Sequence, residues 1–419
     1  MTETKYSGIA SIGEIPAHWR TYRIKSLLSL RSEKNSGDHD LLSVYLDRGV
    51  ISYNDSDGMQ VHKPSADLSN YQNVHVGDFV LNNQQAWRGS VGVSKYDGII
   101  SPAYFVFSLS DKCDPGYMNF LLRDGSMVQQ YETASRGVGT IQRNLYALWF
   151  YESLVALPPK DEQKTIAAFL SAKCAEIDAL TADIQTQINT LEQYKRSVIT
   201  ETVTKGLNPN SEMKDSGVFY MAPMNATWRL TKIGYICSKL SRSFAPEDTA
   251  LICSNKGKVQ VRADDLTGIM VSDDNAMQGI RSGDIAIHGM DTWHGAIALS
   301  EYDGKITRVV HVCDSTEDKR FVVYYMQHLA FQGVYKLISN GVRGNTSDFR
   351  SWDKVRDIWI AIPETKEEQA AICDYLDSQC TAVEEVIATK KEQLEVLGEY
   401  KKSLIFEYVT GKKEVPCND

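Results

Sequence analysis

No apolar run in the 419 residues is long enough to cross a bilayer as a helix. Residues 1–10 carry neither the basic region nor the apolar stretch of a secretory signal, so neither membrane insertion nor secretion is expected. An excess of positive charge is also missing. Lys and Arg number 45 against 54 Asp and Glu, a net charge of -9, so any phosphate binding must come from basic side chains gathered locally. The eight cysteines, at 113, 174, 237, 253, 313, 373, 380 and 417, form no Cys-x-x-Cys pair, and reduced thiols in a cytoplasmic protein are expected. Motifs for chemistry are absent in turn. There is no Walker loop to cradle phosphates, and Ser135-Arg136-Gly137-Val138-Gly139-Thr140 lacks the third glycine and the preceding strand of a dinucleotide site. Asn208-Pro209-Asn210 lacks the second proline and the aromatic of an amino-methyltransferase motif and reads as a linker. Glu162-Gln163-Lys164 has no acidic partner on a preceding strand and reads as the first turn of a helix. His288 and His294, six apart beside Asp291, match no metal-ligand spacing. No catalysis, no metal and no cofactor are expected of the chain itself.

What is present is a long helical pattern. From Ile166 the apolar side chains fall at Leu170, Cys174, Ile177, Leu180, Ile184, Ile188, Leu191, Tyr194 and Val198, every gap being three or four residues. No proline or glycine interrupts residues 160–205, while Pro158-Pro159 followed by Asp161 and Glu162 marks a helix start. Such a helix spans about 65 Å, and its narrow stripe requires a second helix. The chain supplies one. Shifting Gln163 onto Gln369, an offset of 206, carries Ile166 to Ile372, Leu170 to Leu376, Cys174 to Cys380, Ile188 to Leu394 and Leu191 to Leu397. Tyr194-Lys195-Arg196-Ser197 then falls on Tyr400-Lys401-Lys402-Ser403.

The segments before these helices are duplicated too. Ser7-Gly8-Ile9 answers to Ser216-Gly217-Val218, Trp19-Arg20 to Trp228-Arg229, Gly77-Asp78 to Gly283-Asp284, Trp87 to Trp293 and Tyr96-Asp97-Gly98 to Tyr302-Asp303-Gly304. In the first copy a short amphipathic helix is expected through Ile24, Leu27 and Leu28 and another helix over 117–131, with strands near 41–46, 79–81, 90–94, 104–109 and 154–157. The matched tryptophans Trp87 and Trp293, beside matched glycines, read as core anchors. Between the landmarks the loops diverge. Asn and Gln pair bidentately with adenine, and Arg with guanine, so polar loops in paired modules are candidate readers of bases. In the first copy these are Asn82, Asn83, Gln84, Gln85, Arg88, Arg136, Gln142 and Arg143; in the second, His288, Thr292, His294, Arg343, Asn345 and Thr346. Arg242, Lys256 and Lys258 are candidate phosphate contacts. For any one of these the competing reading is a solvated polar loop.

Taken together, Ile15-Pro16-Ala17-His18-Trp19, the two proline-then-Glu-Gln helix starts at 158–163 and 363–369, and the paired Tyr-Lys-Arg-Ser and Tyr-Lys-Lys-Ser endings resemble the specificity subunit of a Type I restriction-modification system over nearly the whole chain. Met224-Asn225-Ala226-Thr227-Trp228 departs from the pattern by lacking the proline. The resemblance implies a mixed α+β fold with two target-recognition domains, 1–157 and 207–362, and two long antiparallel coiled-coil helices, 158–206 and 363–412, in an internal pseudo-two-fold repeat. It also implies double-stranded DNA, two modification subunits and restriction subunits as partners, with S-adenosylmethionine, ATP and Mg carried by those subunits. Two other readings stay open: an interaction scaffold built from duplicated protein-binding modules, and a specificity half that serves a methyltransferase without any nuclease.

Overall fold

The structure, a computed structural model, describes residues 3–35, 37, 39–56, 64–65, 67–138, 142–262, 274–339 and 348–416. The uninterrupted helical pattern is realised as two helices, α1 over Lys160–Lys205 and α2 over Lys366–Val409. The chain divides into two compact units, 1–184 with 392–419 and 185–391. Each unit therefore contains the start of one long helix and the end of the other.

In both units the globular part is built the same way. The strand after the landmark tryptophan pairs antiparallel with the strand that precedes the long helix: Arg20–Arg23 with Leu154–Leu157, and Arg229–Lys232 with Trp359–Ile362. Beside it lies a four-stranded antiparallel sheet, ordered Leu28–Arg31, Tyr104–Leu109, Phe79–Asn82, Val91–Val93 in the first unit and Cys237–Lys239, Val310–Ser315, Ile285–His288, Ile297–Leu299 in the second. The core of the first unit runs from Phe79, Phe107 and Tyr117 directly into Ile166 and Leu170 of α1 and Leu404 and Tyr408 of α2. That of the second joins Ile285, Phe321 and Ile360 to Ile199 and Val203 of α1 and Ile372 and Leu376 of α2. Within each unit the two helix segments are antiparallel and share a seam, so the mixed fold with paired long helices is borne out.

The Glu-Gln helix start is the bolt between helix and module. Gln163 is fully buried; its amide donates to the carbonyls of Lys112 and Pro158, each at 2.9 Å, and its carbonyl accepts from the Asp114 backbone N–H at 2.8 Å. Gln369 repeats the arrangement, donating to the Glu317 carboxylate at 2.8 Å and the Pro363 carbonyl at 3.1 Å and accepting from Asp318 N–H at 2.9 Å. The residue before each glutamine holds a tryptophan: the indole N–H of Trp19 donates to Glu162 and that of Trp228 to Glu368, both at 2.9 Å. Both tryptophans are buried. At the other end of each helix a left-handed glycine stops the chain against the same tryptophans. A Cβ on Gly206 would stand 3.3 Å from Trp228, and one on Gly411 2.4 Å from Pro16 and 3.3 Å from Trp19. Asn225, which occupies the place of the missing proline, caps α1 by donating to the Lys205 carbonyl at 2.7 Å.

The seam carries a matched ion pair. Lys401 meets Asp178 at 2.5 Å in the first unit and Lys195 meets Glu384 at 2.5 Å in the second, both members displaced by the same offset of 206. The conserved spacing of the Tyr-Lys endings thus places one lysine on the acid of the opposite helix.

Four expectations are corrected. Residues 24–28 form no amphipathic helix; a 3-10 turn at Ile24–Ser26 gives way to the strand Leu28–Arg31, because Leu28 pairs with Leu109. The helix over 117–131 is two helices, Pro115–Leu121 and Gly125–Thr133, broken where the Asp124 carboxylate caps the second one through Ser126 N–H. Leu180 and Tyr194, placed on the buried stripe, are 47% and 50% exposed. Trp87 and Trp293 are only half-buried, and the core tryptophans are Trp19 and Trp228.

Replacing Gln163 by alanine strands one buried N–H and two buried carbonyls at once and is expected to cost about 3 kcal/mol in urea unfolding. A loss below about 1 kcal/mol would show that the bolt is not needed for stability.

Candidate nucleic-acid interface

The turn after the third sheet strand has the same construction in both units. Asn82 Oδ1 accepts from Gln84 N–H at 3.0 Å, and at the matching position His288 Nδ1 accepts from Met290 N–H at 3.3 Å and Asp291 N–H at 3.1 Å. A 3-10 turn follows, Ala86–Arg88 or Thr292–His294, and ends on Gly89 or Gly295 with φ of 94° and 81°. Ala86 and Thr292 point inward and are fully buried.

This construction sorts the candidate residues. Asn82 and His288 are turn caps, and Asn82 also donates to the Tyr104 hydroxyl at 3.3 Å. Asn83 accepts from Leu145 N–H at 3.0 Å and so holds the turn to the hairpin Ser135–Val138/Gln142–Leu145. Thr292 is corrected as a base reader, since its side chain is fully enclosed. Arg242 is corrected as a phosphate contact: its guanidinium forks onto Asp284 at 2.7 and 2.8 Å, as Arg31 does onto Asp78 at 3.0 and 3.2 Å. Lys258 is tied to Glu384 at 2.6 Å and, with the exposed Lys256, lines a polar cleft of about 700 Å³. Burial alone would push the Glu384 carboxyl up; hydrogen bonds from Lys195 and Lys258 outweigh it and hold it below the usual range. Gln84, Gln85, Arg88 and His294 remain on the outer side of the turns, Gln85 in part. Arg343, Asn345 and Thr346 lie outside the described residues, as does the side chain of Gln142.

In the first unit the surviving candidates converge. The guanidiniums of Arg88 and Arg143 both lie against the Trp87 indole, at 4.7 and 4.6 Å from the ring centre, and Arg143 also meets Glu132 at 2.9 Å. Arg143 stands opposite Gly137 and Arg136 opposite Asn144, so the two arginines project from opposite faces of the hairpin. Arg136 accordingly lies over a different ring, Trp149, at 4.1 Å. Stacking fixes each guanidinium, and that of Arg136 keeps its N–H edge available for phosphate or guanine. In the second unit Lys336 covers Trp293 at 5.5 Å. Sequence reading missed Trp149 and Lys336; the pairing of an aromatic with a basic residue far along the chain is a contact, with no local signal. Among the described residues, no three His, Cys, Asp or Glu side chains gather as a metal site. No helix among them is long and apolar enough to cross a membrane.

No protein-family model matches the chain. Among curated proteins it is 22% identical, over 96% of either chain, to one named "Putative type I restriction enzyme MjaX specificity subunit" of Methanocaldococcus jannaschii. The resemblance to a Type I specificity subunit is borne out. Among solved structures it is similar to a chain from work on complex assembly and conformational transition of the type I R-M system, with a TM-score of 0.69 and 17% identity over 95% of this chain and 99% of that one. The HsdS subunit from Thermoanaerobacter tengcongensis gives a TM-score of 0.48 and 17% identity over 95% and 98%.

The electrostatics of the second unit yield a pH prediction. Burial holds His328 down at about 4 and also lowers His288 and His311. The folded unit refuses protons that the unfolded chain accepts near 6.5, so stability is full above that pH and falls as pH drops toward 4. His328 alone accounts for about 3 kcal/mol of that loss. Urea unfolding between pH 4 and 8 should show the fall, and His328→Gln should flatten it; an unchanged slope would contradict the assignment.

Proposed function

We propose that the chain is the DNA-reading specificity subunit of a type I restriction-modification system, and that each unit reads one half of a split duplex target. The observation that carries this reading is the duplication itself: among the described residues the two units share the Gln bolts, the buried tryptophans and the capped turns, and differ at the outward positions Arg88 and His294 or Arg136 and its surroundings. A shared frame with divergent outer loops suits two recognitions of one chemical kind. The likeness to a curated specificity subunit over 96% of either chain supports the assignment.

In this reading the chain performs no chemistry. Modification subunits carrying S-adenosylmethionine methylate adenine at the site it selects, and restriction subunits use ATP and Mg. In this reading the length of the long helices is a ruler that fixes how many bases lie unread between the two half-sites of a duplex that repeats about every 34 Å.

The test is selection from random-sequence duplexes by the full chain together with its modification subunit. Enrichment of two fixed parts around an unread gap is expected; enrichment of nothing would overturn the reading and favour the protein-binding scaffold. Inserting about four residues, one turn, into both α1 and α2 should lengthen the gap, and an unchanged gap would refute the ruler.

A further inference from the structure

The short helix Ala147–Phe150 of the first unit buries Phe150 but, with its cap Tyr146, turns other large apolar side chains outward. Leu148 is 79% exposed, Tyr146 51% and Trp149 43%, the rings of Tyr146 and Trp149 lying 5.7 Å apart. The fold does not demand this. Both units place such a helix just before the strand that leads to the long helix, and alignment of those strands sets Leu148 on Asp353 and Trp149 on Lys354, with Phe150 and Val355 both buried beneath. Where the second unit presents an exposed acid and base, the first presents a leucine and a tryptophan. An apolar tip that the duplicated fold manages without has another reason to be there.

Its surroundings say what it meets. Arg136 lies on Trp149, and Arg88 and Arg143 lie on Trp87 one hairpin width away. Residues 79–94 and 134–151 hold these three arginines and no acidic residue of their own, Glu132 beside them being paired with Arg143, in a chain whose net charge is -9. An apolar tip beside stacked arginines matches the chemistry of duplex DNA, where guanidiniums hold phosphates and an apolar side chain enters between base pairs. A protein partner of the same tip would need a compensating acidic rim.

We infer that Leu148, flanked by Tyr146 and Trp149 and steered by Arg136, is a wedge that unstacks one base step of the DNA half-site bound by the first unit. The inference rests on the DNA-reading function proposed above. It makes the two half-site contacts unequal, since Asp353 and Lys354 give the second unit no wedge.

The experiment uses the full chain with its modification subunit on the duplex obtained by selection, with 2-aminopurine replacing single adenines along the target. Apart from the adenines that the modification subunit flips out to methylate, wild type should raise the probe's fluorescence several-fold at one step in one half only. The variants Leu148→Ala, and Leu148→Asp with Trp149→Lys, should abolish that rise and weaken binding about tenfold. The second variant copies residues the same fold carries in its other unit, so folding is preserved, and an unchanged thermal melt confirms it. An unaltered fluorescence rise in both variants would overturn the wedge while leaving the reading function intact. Unaltered DNA signals with loss of the modification subunit on co-purification would overturn it in favour of a protein-docking tip. A wild-type chain that selects no duplex would remove the reading function and the wedge together.

Discussion

Everything in this molecule depends on a buried glutamine at the start of each long helix. Gln163 and Gln369 each satisfy three polar groups in a place where water cannot, and each does so by bridging the strand end, the cap of the neighbouring helix and the long helix itself. Because the first bolt sits where α1 begins and the second where α2 begins, while Trp228 and Trp19 receive the ends of α1 and α2, each unit is closed only by chain from both halves of the sequence. A duplicated chain thereby becomes two units that cannot be separated by a single cut.

That economy explains the division of labour among the matched residues. Positions that carry the frame keep their role even when the side chain changes: a carboxamide at 82 and an imidazole at 288 each accept from the backbone N–H two residues on. Outward positions at the turn and the short helix do not. Arginine stands at 88 where histidine stands at 294, and leucine at 148 where aspartate stands at 353. In the proposed reading, recognition is free to change because stability has been placed elsewhere.

Much of this was legible in the sequence. The span of α1, the second copy at an offset of 206 and the strand at 104–109 followed from periodicity and repetition, because both are local patterns. Their failures have a common cause. Trp87 looked like an anchor and Trp19 like a landmark, but Trp19 is anchored because Glu162, 143 positions away, accepts from its indole N–H. Leu180 and Tyr194 fit the stripe yet stand outside it, since ten positions at helical spacing cover more of the surface than the seam of two helices uses. Thr292 read as polar loop and is enclosed, its place set by the alanine at the matching turn. The arginines of the first unit were named residue by residue, while Trp87 was taken for a core anchor and Trp149, the ring that holds Arg136, was not named.

The most direct test of the account is the map of methylated adenines in a genome whose host carries this chain and its modification subunit. Two specified parts separated by unspecified bases, with only one part altered when residues 79–151 are changed, is the result the account predicts. A single uninterrupted motif, or alteration of both parts together, would contradict it.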